Sequence, residues 1–341
     1  RFKPEISNSI EVGLDWRMFK QRFGLDLAFY NNITRNQILD VPMDQTTGYT
    51  KATMNSGKVR NRGIELQLDG TPVKTKNFTW NSTFTWAKNY NKVLSLAAGL
   101  TDGQTIAYTG GTNCALIAKV GGSIGDIYGY KLKRAPDGQV VWKDGITART
   151  TEFEYVGNAY PAWKAGFSNE FSYKNFRVSI LFDGQWGGIV YSQTHHKMTE
   201  HGTLKHTLKY RGNPNFEVVG EGVMLDERGQ YVPNNVPISV SKYYADYWRR
   251  ANVETNSFDA SFLKLREARI EYTIPSAGLN KIGIERLTLA LYGRNLAMWT
   301  KDFPVYDPEV ATLNNGTIVP GSEMGQLPST RTMGFNLTLK F

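Results

Sequence analysis

The spacing of strand-like segments constrains this chain more than any single motif. Nine segments alternate apolar and polar residues with a period of two, and the connections between them are alternately short and long. The first, "SIEVGLDWRMF", sets Ile10, Val12, Leu14, Trp16 and Met18 against Glu11, Gly13, Asp15 and Arg17. A short "KQR" leads into "FGLDLAFYN", with Phe23, Leu25, Leu27 and Phe29 on one face. After a polar stretch to about Lys58, "VRNRGIELQLDG" presents Ile64, Leu66 and Leu68. Past "TPVKTKN", "FTWNSTFTWAKNY" presents Phe78, Trp80, Phe84 and Trp86. Asn91 to Tyr160 lacks clear periodicity. "WKAGFSNEFSY" and "FRVSILFDGQW" then pair across "KN", and a second long stretch runs from Gly187 to Ser257. In "FDASFLKLREARIEYTI" the second half (Ala268, Ile270, Tyr272, Ile274) is out of phase with Leu263 and Leu265, which predicts a bulge or an emergence from a membrane. "IERLTLALYGRN" follows "PSAGLNKIG", and a third long connection, Leu296 to Ser329, leads to the closing "RTMGFNLTLKF".

Short turns at one end and long loops at the other are the pattern of a transmembrane β-barrel of the outer membrane, and strands of nine to eleven residues suit a tilted crossing. A soluble all-β carbohydrate-binding or adhesion module also has regular strands. It gives no reason for every second connection to be long, since loops beyond about 15 residues are uncommon unless functional. Composition agrees with the barrel. The chain has 341 residues, is 40% hydrophobic and contains 8 Trp, 18 Tyr and 17 Phe. Barrels place aromatics in girdles at both interfaces. Mean hydropathy is -0.41, and no apolar run is long enough for a membrane helix. Neither fact weighs against a barrel, whose strands hide half their residues from lipid. The net charge is +9, but Lys and Arg are scattered and no nucleic-acid motif is present, so no nucleic-acid partner is expected. The single Cys114 excludes an intramolecular disulfide framework.

Parity adds an expectation. With short turns on the periplasmic side, the first strand begins outside the cell and the ninth ends in the periplasm. An even-stranded barrel with both ends in the periplasm then needs an odd number of further strands before Arg1. An open sheet edge is not viable in lipid, so the chain is expected to be the C-terminal part of a larger wall.

Several blocks are similar to one family. "KPEISNSIEVGLDWRMFKQRFGLDLAFYNNITRNQIL", "VGGSIGDIYGYKL", "GNAYPAWKAGFSNEFSYKNFRVSILFDGQWGG", "DASFLKLREARIEYTIP", "LALYGRNLAMWTKDFPVYDPE" and "LPSTRTMGFNLTLKF" occur in family order. They resemble the SusC/RagA-type TonB-dependent outer-membrane transporters of Bacteroidetes. The resemblance implies a barrel of about 22 strands closed by an N-terminal plug that lies outside this chain. It implies a SusD-like surface lipoprotein as a lid, and an oligosaccharide or peptide as substrate. It further implies energy from the TonB complex acting on the absent N-terminal part, no covalent chemistry and no cofactor. It also implies that the terminal Phe341 is an assembly signal. A passive porin is the minor alternative, distinguished by having no plug.

Candidate site residues follow from the external stretches. "GGSIG", Gly121 to Gly125, fits the G-x-S-x-G elbow, with Ser123 as the would-be nucleophile. "DIYGYKL" follows it without helical period, which argues against hydrolase chemistry. His195, His196, His201 and His206 cluster without zinc spacing or an accompanying Cys, so solvation or contact with the lid is expected rather than a metal. "YYADYWRRAN", Tyr243 to Asn252, concentrates rings and guanidinium groups. Rings stack on sugars or apolar side chains, and Arg forks bind carboxylates. Internal packing by a short loop helix, or partner contact, is favoured there over direct substrate contact. Trp142, His195, His196, Tyr247, Trp248, Arg249, Arg250 and Trp299 are therefore the candidate loop contacts to substrate or lid. Glu65, Gln67, Asp69, Arg177, Asp183, Arg269 and Glu271 are expected on the lumenal face, in a wall that simply bonds plug and water rather than a dedicated site, with Arg and carboxylate as candidate clamps on the plug.

Overall fold

The computed structural model describes residues 2–42, 46, 48–49, 51–55, 57–97, 103–109, 111–213, 215–275, 279, 283–309, 312–314 and 317–341. Nine antiparallel strands form one sheet in strict sequence order. We number only these wall strands: β1 (Ile6–Met18), β2 (Phe23–Arg35), β3 (Gly57–Lys74), β4 (Phe78–Leu96), β5 (Trp163–Tyr173), β6 (Phe176–Trp186), β7 (Phe262–Ile274), β8 (Arg286–Thr300) and β9 (Thr332–Lys340). The sheet is open, with β1 and β9 as its edges. No described helix is long and apolar enough to cross a membrane, which leaves crossing by strands untouched.

The period-two pattern sets the register. Trp16, Leu25, Leu68, Phe84, Phe167, Phe182 and Leu265 lie directly opposite one another across seven strands. A slip of one residue in any strand would break this row and turn that strand's apolar set inward. The row belongs to the face that is left uncovered: Leu291 is 63% exposed and Phe335 79%. A soluble sheet would bury such residues against a second layer, whereas a barrel turns them to hydrocarbon.

The anticipated bulge lies at Arg266. Leu181 opposes Glu267 while Phe182 opposes Leu265, so Arg266 is the extra residue. It restores Leu263 and Leu265 to the outward face shared with Ala268 and Ile270. Close approach explains one glycine: a Cβ on Gly334 would come within 2.6 Å of the Tyr292 hydroxyl on the neighbouring strand.

The long connections are far from featureless. The β2–β3 connection, read as a polar stretch, holds a hairpin of Ile38–Pro42 with Lys51–Asn55. The next two carry small sheets and two helices, α1 (Gln193–Glu200) and α2 (Val240–Tyr247). Together the loops form their own core. Cys114, Leu116 and Ile127 from the β4–β5 loop pack with Tyr191 and Val253 from the β6–β7 loop and Val319 from the β8–β9 loop. Burial pushes the Cys114 thiol well up, consistent with an inert core residue. The β7–β8 turn, "PSAGLNKIG", lies largely outside the described residues.

Candidate functional site

Polar and titratable side chains gather on two surfaces: the inner face of the wall and the loop platform above it. On the wall, most of the expected inward side chains are paired with each other. The guanidinium of Arg17 donates to both oxygens of Asp69 at 3.0 and 2.9 Å, and the Gln67 amide donates to Asp69 at 3.3 Å. Arg269 donates to Glu271 at 2.8 and 2.5 Å, while Arg177 lies 3.5 Å from Glu271. Asp183 accepts from Arg266 at 2.5 and 3.0 Å. The wall therefore supplies its own counter-ions at Asp69, Asp183 and Glu271. A cavity of about 480 Å³ opens on this face, lined among others by Glu65, Gln67, Lys164, Asp183, Gln185 and Glu309. Polar side chains reach into it because their positions alternate with the outward apolar row.

The β8–β9 loop is fastened to the wall beside that cavity. Lys264, only 2% exposed, donates to Asp307 at 2.6 and 2.7 Å and also to Glu309, which in turn accepts from Arg266 at 2.5 Å. Burial alone would raise the Asp307 carboxyl. The hydrogen bonds from Lys264, the Glu309 amide and Ser329 outweigh it and hold the group below its usual range. A second tie is the buried Glu323. Ser192 and Thr194 hydroxyls donate to it at 2.5 Å each, the Gly325 amide donates at 2.6 Å, and the Tyr306 hydroxyl also donates. A buried carboxylate with this many donors stays satisfied and joins two loops. Sequence reading passed over Lys264 and Glu323. The out-of-phase half of β7 was the only local signal for Lys264, and none marked Glu323.

Helices α1 and α2 organise the candidate loop residues. Ser192 caps α1 by accepting from the His195 amide at 2.9 Å, and Ser239 caps α2 through the Lys242 amide at 3.3 Å. At the far end of α2, the Asn252 side chain donates to the carbonyls of Asp246 and Tyr247 at 3.1 and 3.0 Å. The Asn256 amide donates to those of Trp248 and Arg249 at 3.0 and 3.3 Å. The carbonyls that a helix C-terminus leaves unpaired are thereby satisfied.

His195 and Trp248 are brought into one cluster. The Nδ1 of His195 donates to the Asn256 carbonyl oxygen at 2.9 Å, a polarity fixed because the Asn256 amide is committed elsewhere. Burial lowers this imidazole to about 4, so it is neutral at pH 7. His196 donates from Nδ1 to the Trp248 carbonyl at 2.8 Å and is likewise lowered by burial. His206 stacks on His195 at 5.4 Å and tilts against Trp248 at 5.1 Å. The expectation of solvated histidines is therefore corrected for His195 and His196, which are core residues of the platform. Among the described residues no three potential ligands converge on a metal position.

Trp142 is 2% exposed and lies against Tyr243 and Tyr247 at 6.2 and 6.1 Å, nearly parallel to both, with its indole N–H donating to the Glu221 carbonyl at 3.0 Å. Arg249 donates to the Thr147 carbonyl at 2.8 Å and lies 3.4 Å from Asp246. These groups are engaged in packing, in keeping with the short-helix reading; Trp142 is closed off, while Tyr243, Tyr247 and Arg249 are half-buried. Arg250 is exposed. Trp299 is no loop residue: it is the penultimate residue of β8, opposite Leu263 on the outward face. There it joins Trp186 and Trp163, which stack at 6.4 Å, in an aromatic girdle at the loop end. Ser123 does not form a nucleophile elbow. Strand Asp126–Gly129 follows it rather than a helix, and its hydroxyl donates to Asn91 at 3.0 Å. Phe341 is exposed just beyond β9.

An uncovered apolar outer face, a polar inner face and long loops gathered at one end define the wall of a transmembrane β-barrel. The chain matches the TonB dependent receptor-like β-barrel family over residues 1–296 and belongs to that family, where it is of the SusC/RagA type. It is 29% identical over 364 aligned residues to TonB-dependent receptor P26 of Formosa agariphila, covering 99% of this chain and 34% of that protein. It is 24% identical over 202 residues to TonB-dependent receptor SusC of Bacteroides thetaiotaomicron, covering 55% and 20% respectively. Among solved structures it resembles the RagAB peptide importer in the closed-closed state, with a TM-score of 0.70 at 21% identity over 99% of this chain and 35% of that one. The chain spans about a third of the first-matched curated relatives' length.

Proposed function

We propose that this chain is the C-terminal wall and external platform of an active nutrient importer in the outer membrane of a Gram-negative bacterium. The observation that carries the reading is the nine-strand wall, apolar outside and polar inside, in a chain of the TonB-dependent receptor family. In this reading an upstream plug fills the lumen and meets the polar cavity near Glu65 and Lys164. TonB supplies the force that moves the plug. A SusD-like lipoprotein sits on the platform, with Arg250 and the other exposed loop side chains as candidate contacts. Oligosaccharide or peptide cargo is held between the two, and the chain itself breaks no covalent bond. Phe341 serves as the signal read by the barrel-assembly machinery. A platform with its own core supports a docking role, because a partner that must open and close needs a firm base.

The test is uptake by cells carrying the full-length gene. Labelled oligosaccharide and peptide pools are offered to wild-type, gene-deleted and TonB-deleted strains. Uptake of one pool that needs both genes supports the reading. Uptake that needs the gene but not TonB would point to a passive pore, and recovery of the protein without detergent would remove the membrane reading altogether.

A further inference from the structure

Above the apolar band, the outward face of β3 and β4 changes character abruptly. Ile64 is the last apolar residue of its outward row on β3, and Arg62, Arg60 and Lys58 follow it towards the loops. On β4 the row passes from Trp86 to Lys88, Tyr90 and Lys92. The pairings Ile64–Lys88, Arg62–Tyr90 and Arg60–Lys92 put all of these on one face. Across β2, Asn31 and Ile33 lie beside Arg62 and Arg60, and Arg35 beside Lys58, so no carboxylate is interleaved. Lys88 and Arg62 both lie over the Tyr90 ring, at 4.8 and 5.8 Å. Among the described residues, none of Arg35, Lys58, Arg60, Arg62, Lys88 and Lys92 forms an ion pair. The Nε of Arg60 is buried without a hydrogen-bond partner. On the inner face of the wall, by contrast, Arg17, Arg177, Arg266 and Arg269 each lie against a carboxylate.

Directly beside this patch lies a groove of about 510 Å³ on the outward face of β5 to β8, almost wholly apolar. Ala165 and Gly184, opposite one another, make its shallow floor, and Trp163, Phe167, Phe182, Trp186 and Trp299 among others stand around it. Lys88 is level with Trp163, because Ala87 pairs with Lys164 on the next strand. A cationic shelf thus adjoins an apolar slot at the loop end of the membrane band.

We propose that this composite surface binds the phosphorylated, acylated saccharide lipid of the outer leaflet. Its phosphate sits on Arg60, Arg62, Lys88 and Lys92, and an acyl chain lies in the groove. Guanidinium and ammonium groups without carboxylate partners match phosphate, and their height just above the aromatic girdle matches the headgroup zone. A protein partner would be expected to meet interspersed charges and a polar rim rather than a slot opening into hydrocarbon. The proposal rests on the outward face meeting lipid, as inferred above.

The test uses the full-length protein purified from outer membranes in mild detergent, with purified lipid A as the probe. Retained lipid A per mole of protein is measured by mass spectrometry for the wild type and for R60Q/R62Q/K88Q/K92Q, with K205Q/K242Q in exposed loop positions as control. R62Q/K88Q serves if the fourfold variant does not assemble. Folding is checked separately, by heat-modifiable gel migration and outer-membrane fractionation. We expect about a tenfold or greater loss of lipid A in the patch variant, none in the control, and no difference between proteins when dephosphorylated lipid A is offered. Equal retention by a correctly assembled patch variant overturns the proposal while leaving the importer reading intact. So does loss of a co-purifying protein with lipid A unchanged. Absence of the wild type from the membrane fraction overturns the importer reading itself.

Discussion

Replacing Lys264 by Met should release the β8–β9 loop from the wall. Lys264 and Asp307 are both buried, and the ammonium bonds both Asp307 oxygens at 2.6 and 2.7 Å. Met fills nearly the same volume but leaves the Asp307 carboxylate buried without its counter-ion, with the Glu309 amide, at 3.0 Å, and Ser329 as the donors in place. Removing one partner of a buried pair typically costs about 3–5 kcal/mol. Glu309 keeps Arg266, and Phe303 stays in its cluster with Val190 and Ala260, so the loss should be local opening rather than collapse of the wall. At 1.4 kcal/mol per decade, that is roughly two to three and a half orders of magnitude in opening equilibrium. Hydrogen exchange of peptides covering Phe303 to Glu309, in the full-length protein, reads it directly. The companion variant K264M/D307L exchanges the pair for apolar side chains and should recover most of the protection. Unchanged exchange in the single variant would refute the reasoning, as would a double variant as open as the single one.

Further outcomes can be checked alongside. Acid should loosen the platform at His195. Its folded value lies below the unfolded one, so stability is full above about 6.5 and is lost as pH falls towards about 4, by about 3 kcal/mol in all. His195→Gln should flatten that stretch of a proteolysis-against-pH curve. Leu291→Arg should destabilise the assembled barrel by about 2–4 kcal/mol, and Leu289→Arg, one outward position nearer the short turns, by less. Detergent-resistant folding assays would refute the lipid-facing assignment if both were neutral. Trp142→Ala should cost about 3–5 kcal/mol of local stability, read as faster cleavage of the α2 region. Phe341→Ala should lower the yield of folded protein in the outer membrane while leaving that of the unfolded chain unchanged; equal folded yield would discard the assembly role.

Much of the wall was legible because a strand writes its environment at a period of two. All nine strands follow the apolar alternation, and even the bulge at Arg266 announced itself as a phase error between Leu265 and Ala268. Lipid on one side and water on the other impose that alternation at every position, so it survives without knowledge of any partner strand. Strand ends were less legible: β4 continues past Tyr90 to Leu96, because its last residues extend above the membrane band, where alternation of Lys, Tyr and Asn carries no hydropathy signal.

The sequence by itself determined the class of sheet, the order of its strands and which side chains face outward. Only the tertiary structure decided what the loops do with theirs. His195 is neutral because the folded loops bury it, outweighing the opposing hydrogen bond to Asn256, sixty-one residues away, and Trp142 is closed to ligands because α2 lies on it. Thr109 meets Ser322 across 213 residues. Such contacts depend on how three loops fold onto one another. Local periodicity is a response to solvent, and it holds no record of which distant group will stand in for water.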